Sequence, residues 1–426
     1  MRILLSAYYC SPYRGGEAAV GWQVATRLAK AGHEVHVICG DLSGEEPTRH
    51  DLERYTAEQE LPEGLTIHHV AADSKARRLH DWHCRPGMWF LYYGAYRHWQ
   101  KLVLKKAVQL HAQTPFDLAH QLTIIGYREP GDLWKMGIPF VWGPINGAAV
   151  MPWRFISGLG GAGAYRHLTR NLMNVLQMRL PGRSRRAARA AAKIWAVTKE
   201  DQRMVEKIWK CRAELMIETG ATPCESARVK SKPPGEPLRL VWCGIIEARK
   251  ALHLVLQALH RLPPAVLWEL QIIGNGPQRD FCETLAANLN LSDRVRWSGN
   301  VEHAEAQRLM EHGHALVHSA LKEGTPHVVL EAMTRGLPVI CHDACGMGVA
   351  VDQNSGIKIP MIDPQSSIAG FRDAILRLAS EPELLESLSA GALTRAGELS
   401  WDAKIQTFSD TYQQIIEDNS IGSLES

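Results

Sequence analysis

The 426-residue sequence predicts an α/β protein built as two doubly wound parallel-sheet domains that face each other across a cleft. Three observations predict it. Short apolar runs alternate with longer amphipathic stretches along most of the chain, as strand, helix and parallel strand do. Each run is suited to burial on both faces, as a strand covered by helices on either side must be. The pattern breaks once, in the polar, proline-bearing stretch IETGATPCESARVKSKPPGEPLRL, and then restarts.

Taken in order, RILLSA opens the first half and leads through Gly15 and Gly16 into a helix over Glu17–Ala31, which Gly32 ends. EVHVIC is the next strand, followed by TIHHV, FDLAH, IPFVW, KIWAV and AELMI. After the break come the strand LRLVWCG, a helix over Lys250–Leu262, the strand WELQIIG, a helix over Pro277–Leu289, and the strands RVRWSG, ALVHS and LPVICH. WDAKIQTFSDTYQQIIED reads as a closing helix with a Ser/Gly-rich tail behind it. The expected organisation is a first domain over 1–220, a linker over 221–237, a second domain over 238–399, a helix over 400–418 crossing back, and a disordered tail over 419–426. Ligands belong at the carboxyl ends of the strands, in the cleft.

Composition narrows the function. Hydrophobic residues make up 45% and charged residues 22%, ordinary for a soluble globular protein, and a formal net charge of +3 gives no case for a nucleic-acid partner. Nine cysteines, an odd number with no Cys-x-x-Cys spacing, fit a reducing, cytoplasmic compartment. MRILLSAYYC reads as a strand and not as a signal peptide. The apolar window Gly137–Tyr165 is broken by Pro139, Pro144 and Pro152, which argues against a spanning helix. His80, His83 and Cys84 form the one cluster that invites a metal reading, but no second ligand pair accompanies them and no Asp-x-Asp occurs. No metal and no cofactor are expected. The Gly274–Pro277 turn lacks the third glycine of a dinucleotide fingerprint, because Arg279 stands there.

The segment with most chemistry is KEGTPHVVLEAMTRGLPVI, Lys322 to Ile340. It reads as loop, helix and strand, with Pro326 in the first helical turn and Gly336 at the end. Glu323 falls in the loop and Glu331 about 9 Å further along the axis at 1.5 Å per residue. Backbone N–H groups of Gly324 and Thr325 lie between them, at the positive end of the helix dipole. A nucleotide-diphosphate sugar has this layout, with hydroxyls at both ends and phosphates in the middle.

The segment resembles the glutamate–seven–glutamate signature of the retaining glycosyltransferases of family 4, which have the GT-B architecture of two facing Rossmann-like domains. SPYRGGEAAVGWQVATRLAKAGHEVHV, LRLVWCGIIEARKALHLVLQAL, LQIIGNGP, VRWSGNV and GMGVAVDQNSGIKIP resemble further family motifs in the family's order. The resemblance implies that Glu323 holds donor-sugar hydroxyls, that Gly324, Thr325 and Pro326 form the loop over the diphosphate, and that Glu331 binds the ribose. It implies that Lys250 stabilises the departing phosphate, that Gly15 and Gly16 lie against the diphosphate, and that His120, at the end of FDLAH, lines the reaction centre. Asn275 and Gly276 would belong to the donor site, with Val301 in the loop that contacts the nucleobase. One position departs: an arginine usually follows the glycine matched by Gly244, and here Ile245 stands in its place, leaving Arg249 to supply the charge.

The implied reaction is retaining transfer of a sugar from a nucleotide-diphosphate sugar to a hydroxyl of a saccharide or lipid-linked glycan, by front-face attack without a metal. Epimerisation of a nucleotide sugar, a phosphorylase with pyridoxal phosphate, and a non-catalytic partner subunit of the same fold are the alternatives. From Leu133 to Lys199 the basic residues Arg154, Arg166, Arg170, Arg179, Arg183, Arg185, Arg186 and Arg189 accumulate among apolar ones with no acid before Lys199. That 154–193 region reads as a surface for an anionic membrane, on the inner face of which the protein would be peripheral.

Overall fold

A computed structural model describes the chain except residues 86–87, 89–90, 181 and 423–426, and the side chains of 157–163, 166 and 421–422 also lie outside the description. The Arg166 position and the last residues of the expected tail therefore fall outside the described residues.

Two parallel sheets form, as the alternating pattern requires. In the first, β3 (Leu65–His69), β2 (Glu34–Cys39), β1 (Arg2–Ala7), β4 (Leu118–Thr123), β5 (Phe140–Ile145), β6 (Lys193–Ala196) and β7 (Glu214–Leu215) lie side by side in that order. In the second the order is β10 (Val295–Gly299), β9 (Trp268–Ile273), β8 (Leu238–Cys243), β11 (Ala315–His318), β12 (Val339–His342) and β13 (Gly356–Ile359). Ile3, Leu4 and Leu5 of β1 are fully buried, so both faces of that strand carry core.

Strand order reverses between β1 and β4 and again between β8 and β11. Chain leaving neighbouring strands at such a point goes to opposite faces of the sheet and opens a crevice at the carboxyl edge. The loops that follow β1, β8 and β11 carry Gly15–Gly16, Lys250 and Glu323 respectively, so the topology alone aims them at the cleft.

β13 was not among the predicted strands. Four residues, with only Gly356 and Ile359 buried, give no periodicity to read. The Leu91–Gln113, Pro364–Ser380 and Pro382–Glu398 helices also went unassigned.

The last helix, Trp401–Gly422, buries Trp401, Ile405, Phe408, Tyr412 and Ile415, the 3–4 spacing of one helical stripe. Those side chains pack with Ile3, Leu5, Val20 and Trp22 in the core of the first domain. A parallel bridge between Ala221 and Ser400 pins the start of this helix to the segment leaving β7. Among the described residues no helix is long and apolar enough to cross a membrane.

Candidate active site in the interdomain cleft

β8 ends at Cys243, and a short turn over Ala248–Lys250 brings Lys250 back under the sheet edge, where it is buried. Its carbonyl accepts a 2.7 Å hydrogen bond from Ser319 Oγ, so the turn is tied to the loop that follows β11. That loop carries Glu323. Lys250 Nζ is paired with the Glu323 carboxylate, with His318 Nε2 3.6 Å and Arg249 Nη1 3.7 Å from the same oxygen. Burial by itself would raise the Glu323 carboxyl, but His318 and the Lys250 charge outweigh it and hold the carboxyl down to about 2. Glu323 is therefore ionised throughout the neutral range. Three predicted residues, Arg249, Lys250 and Glu323, converge here.

Arg249 is shared: its Nε pairs with Glu247 at 2.7 Å and its Nη1 donates to the Lys322 carbonyl at 3.1 Å. Ile245 is 57% exposed, an apolar side chain standing where the expected cation is missing.

A cavity of about 390 Å³ opens beside Glu323 between the domains, with Arg249, Lys322, Glu323 and Gly324 on one wall and Glu17, Ile124–Gly126, Arg128, Asn146 and Arg170 on the other. The walls touch: a Cβ added to Gly324 would sit 1.8 Å from Asn146 Nδ2. Thr325 Oγ1 donates at 2.5 Å to Glu218, a buried carboxylate of the segment between the domains. The loop bearing Glu323 is thus fastened on two sides. The helix begins at His327 with Pro326 at its cap, one residue later than the sequence implies, which is within the fraying of any helix end.

Glu331 lies half-buried on that helix, close enough to Cys243 to help raise its thiol, although burial is the larger cause. Val301 packs in the same neighbourhood, against the cluster that also takes Cys243. Asn275 caps the turn after β9, its carbonyl accepting from Ile246 N at 3.0 Å and its Oδ1 from Gly276 N at 2.8 Å. None of these residues lines the cavity around Glu323. Gly15 and Gly16 face open space, and Gly16 has φ 64°, a conformation that favours glycine.

His120 requires correction. It sits in the middle of β4 and not at its end, fully buried, with its rings neighbours Trp195, Phe408 and Tyr412. The Gly143 carbonyl accepts from Nε2 at 2.7 Å, which leaves Nδ1 to accept from Tyr412 Oη at 2.6 Å. Burial pushes its pKa down to about 4. Both nitrogens are committed to the core, because β4 runs on to Thr123 before the chain reaches the cleft. Tyr412→Phe is accordingly expected to cost about 1–2 kcal/mol in urea denaturation by leaving Nδ1 unpaired; an unchanged midpoint would show the bond to be irrelevant.

Sequence reasoning passed over Glu17, Asn146 and His318. Only the position of Glu17, next to the glycine pair, marked it. One Glu17 oxygen is buried without a hydrogen-bond partner among the described residues, and burial together with the Glu218 charge pushes the carboxyl up to about 8. The unfolded chain ionises near 4.5 while the fold keeps the proton to about 8, so this group erodes stability as pH rises across that interval. Glu17→Gln cannot ionise and is expected to be about 4 kcal/mol more stable at pH 8, relative to the parent, than it is at pH 4. Parallel urea curves at the two pH values test it; equal differences at both would exclude the buried acid.

A second cavity, about 470 Å³, lies among Lys199, Ile217, Asp352, Lys358, Arg395 and Lys404. It contains none of the predicted donor residues. The His80 and His83 rings lie 5.9 Å apart on the Ser74–His83 helix, tilted at 57° to each other, and among the described residues no group of three or more His, Cys, Asp or Glu side chains that could hold a metal ion occurs.

Residues 225–395 match the family model described as "Glycosyl transferases group 1". The chain is 30% identical over 185 residues, 43% of its length and 52% of the other's, to a lipopolysaccharide core biosynthesis glycosyltransferase, LpsD, of Rhizobium meliloti. It is 29% identical over 200 residues, 44% of its length and 43% of the other's, to a D-inositol 3-phosphate glycosyltransferase of Streptomyces bingchenggensis. The chain spans about half the length of the curated relatives it matches. Over nearly its whole length it has the fold of a sucrose-phosphate synthase from Thermosynechococcus elongatus, with TM-score 0.61, 17% identity, and 98% and 99% of the two chains covered. Anabaena Alr3699/HepE in complex with UDP is similar at TM-score 0.59 and 15% identity, with 97% and 100% covered. Residues 225–395 therefore match the glycosyl transferases group 1 family, and the chain that carries them has the GT-B fold of two facing Rossmann-like domains.

Proposed function

We propose that this protein is a retaining, metal-independent glycosyltransferase of the hexosyltransferase class that moves a sugar from a nucleotide-diphosphate sugar to a hydroxyl of a saccharide or lipid-linked glycan. The Lys250–Glu323 pair at the lip of a two-domain cavity carries the reading. In it, the ionised Glu323 accepts hydrogen bonds from sugar hydroxyls, and Lys250 with Arg249 faces the diphosphate and stabilises charge as the phosphate departs. Gly324, Thr325 and Pro326 cover the diphosphate from one side and Gly15 and Gly16 from the other. Glu331, Val301, Asn275 and Gly276 take the ribose and base end, outside the cavity around Glu323. The acceptor enters from the first domain, past Asn146. No protein nucleophile is needed, because the leaving phosphate assists attack on the same face.

Supporting this reading, one relative named above is a lipopolysaccharide core biosynthesis glycosyltransferase, and a structure of the same fold holds UDP. Biosynthesis of a cell-surface glycan on the cytoplasmic side is the proposed setting. The test is a thermal-shift screen of UDP, ADP and GDP, followed by NMR of the glycosidic product: one nucleotide raises the melting point and the product keeps the donor's anomeric configuration. No shift with any nucleotide, or an inverted product, removes the proposal. A changed donor sugar in the absence of acceptor would favour the epimerase.

We further propose that the Gly160–Arg179 helix rests on an anionic membrane. Tyr165, Leu168, Leu172, Leu176 and Leu180 are 49–71% exposed at helical spacing; Trp153 is exposed too, Arg154 precedes the helix and Arg179 ends it. Flotation with anionic liposomes is expected at low salt and lost at high salt; absence at low salt rules it out.

A further inference from the structure

Arg128, Arg170 and Lys322 meet at the cavity from different directions, the first two from the first domain and the third from the second. Arg128 is held by neutral groups only. Its Nε donates to Gln177 Oε1 at 2.6 Å, its Nη2 donates to Asn174 Oδ1, and the guanidinium stacks 4.4 Å above the Tyr127 ring. Asn174 is itself fixed, since its Nδ2 donates to the Gly147 and Ala148 carbonyls at 3.1 Å each. Arg170 lies four residues before Asn174 on the same helix, and so on the same face. Among the described residues no carboxylate pairs with Arg128, Arg170 or the Lys322 ammonium.

The acids nearby cannot compensate them. Glu323 is committed to Lys250, Glu17 keeps its proton at neutral pH, and buried Asp201 is tied to Thr198 Oγ1 and the Ala148 N–H. Burial, with Arg170 and Arg128 adding, pushes Lys322 down to about 8, so the three cations are close enough to repel one another. Like charges drawn together at a partly desolvated wall are unfavourable unless an anion fills the space between them. A phosphate suits it, because rigid guanidinium forks match its oxygens.

Resting on the glycosyltransferase reading, we propose that Arg128, Arg170 and Lys322 form an anion subsite on the acceptor side of the cleft, so that the acceptor carries a phosphate close to the hydroxyl that receives the sugar. The donor diphosphate is served by Lys250 and Arg249, both of the second domain, whereas Arg128 and Arg170 face the cavity from the first domain, with Lys322 reaching it from the second, which leaves this cluster to a second ligand.

The experiment first fixes the nucleotide, taking whichever of UDP, ADP or GDP raises the melting point of the intact chain. Failure there removes the parent reading whatever follows. With that nucleotide saturating, inorganic phosphate is titrated by calorimetry. Binding is expected, and it is expected to weaken about tenfold in Arg170→Gln and in Lys322→Gln. Arg128→Gln joins them if its nucleotide affinity shows that it folds. Two further probes identify the source of the phosphate: if the same substitutions weaken glucose 6-phosphate binding the acceptor is a soluble sugar phosphate, and if they weaken binding to vesicles containing phosphatidic acid it is lipid-linked. Phosphate that fails to bind beside the nucleotide, or binds Arg170→Gln and Lys322→Gln as tightly as the parent, overturns the subsite.

Discussion

Lys250→Ala is expected to lower kcat for sugar transfer by about 10²–10³-fold, the loss that follows removal of one group aimed at charge developing in a transition state. The lysine is 9% exposed and Glu323 16%, so the pair works in a space largely closed to water, where a charge acts strongly. Arg249 cannot replace it: its guanidinium is 3.7 Å from Glu323 and already turned to Glu247 and the Lys322 carbonyl. Arg249→Ala should cost less, about tenfold, for the same reason. The substitution at 250 also leaves the Glu323 carboxylate with His318 and Arg249 alone, a cost of about 1–3 kcal/mol in folding. Rate and stability are separable by assaying nucleotide release at a temperature well below each variant's melting point. A Lys250→Ala protein within threefold of the parent would remove the lysine from the chemistry.

What could be read from the sequence follows the range over which each signal acts. RILLSA and LRLVWC are apolar runs whose burial is decided locally, and both became central strands. The turn at Gly16 and the Glu323 loop were legible because glycine spacing and paired acids are also local. Placement across the fold was not. His120 looks like a strand end in FDLAH, yet β4 extends through Gln121, Leu122 and Thr123, because polar Gln121 and Thr123 are buried where a period-two reading places solvent. Arg128, Asn146 and Lys322 are each unremarkable in their own stretch and acquire meaning only when two domains close on one cavity. The separation of Glu331 from the Glu323 cavity is likewise a tertiary fact, set by how the His327–Met333 helix lies against Cys243.

Gly324→Ala is the sharper test of closure, and a loss of about 100-fold in kcat is expected with folding stability changed by less than about 1 kcal/mol. The new methyl would sit 1.8 Å from Asn146 Nδ2 and 3.0 Å from its Cγ, so one of two things must give. The amide could turn away, but its Oδ1 is held by the Gly147 N–H at 2.6 Å. The loop could retreat, but Gly346 stands behind it, packed so closely that a Cβ added to Gly346 would lie 1.8 Å from the Gly324 carbonyl oxygen. The remaining response is for the domains to part by about an ångström, and a displacement of that size between reacting groups costs roughly 10² in rate. Nucleotide affinity should change little, since Lys250 and Glu323 move together with the second domain. Asn146→Gly, combined with Gly324→Ala, removes the obstacle and should recover most of the loss, a coupling that a double-mutant cycle on kcat measures directly. If the double variant is as slow as Gly324→Ala alone, the contact between loop and amide is not what sets the distance across the cleft.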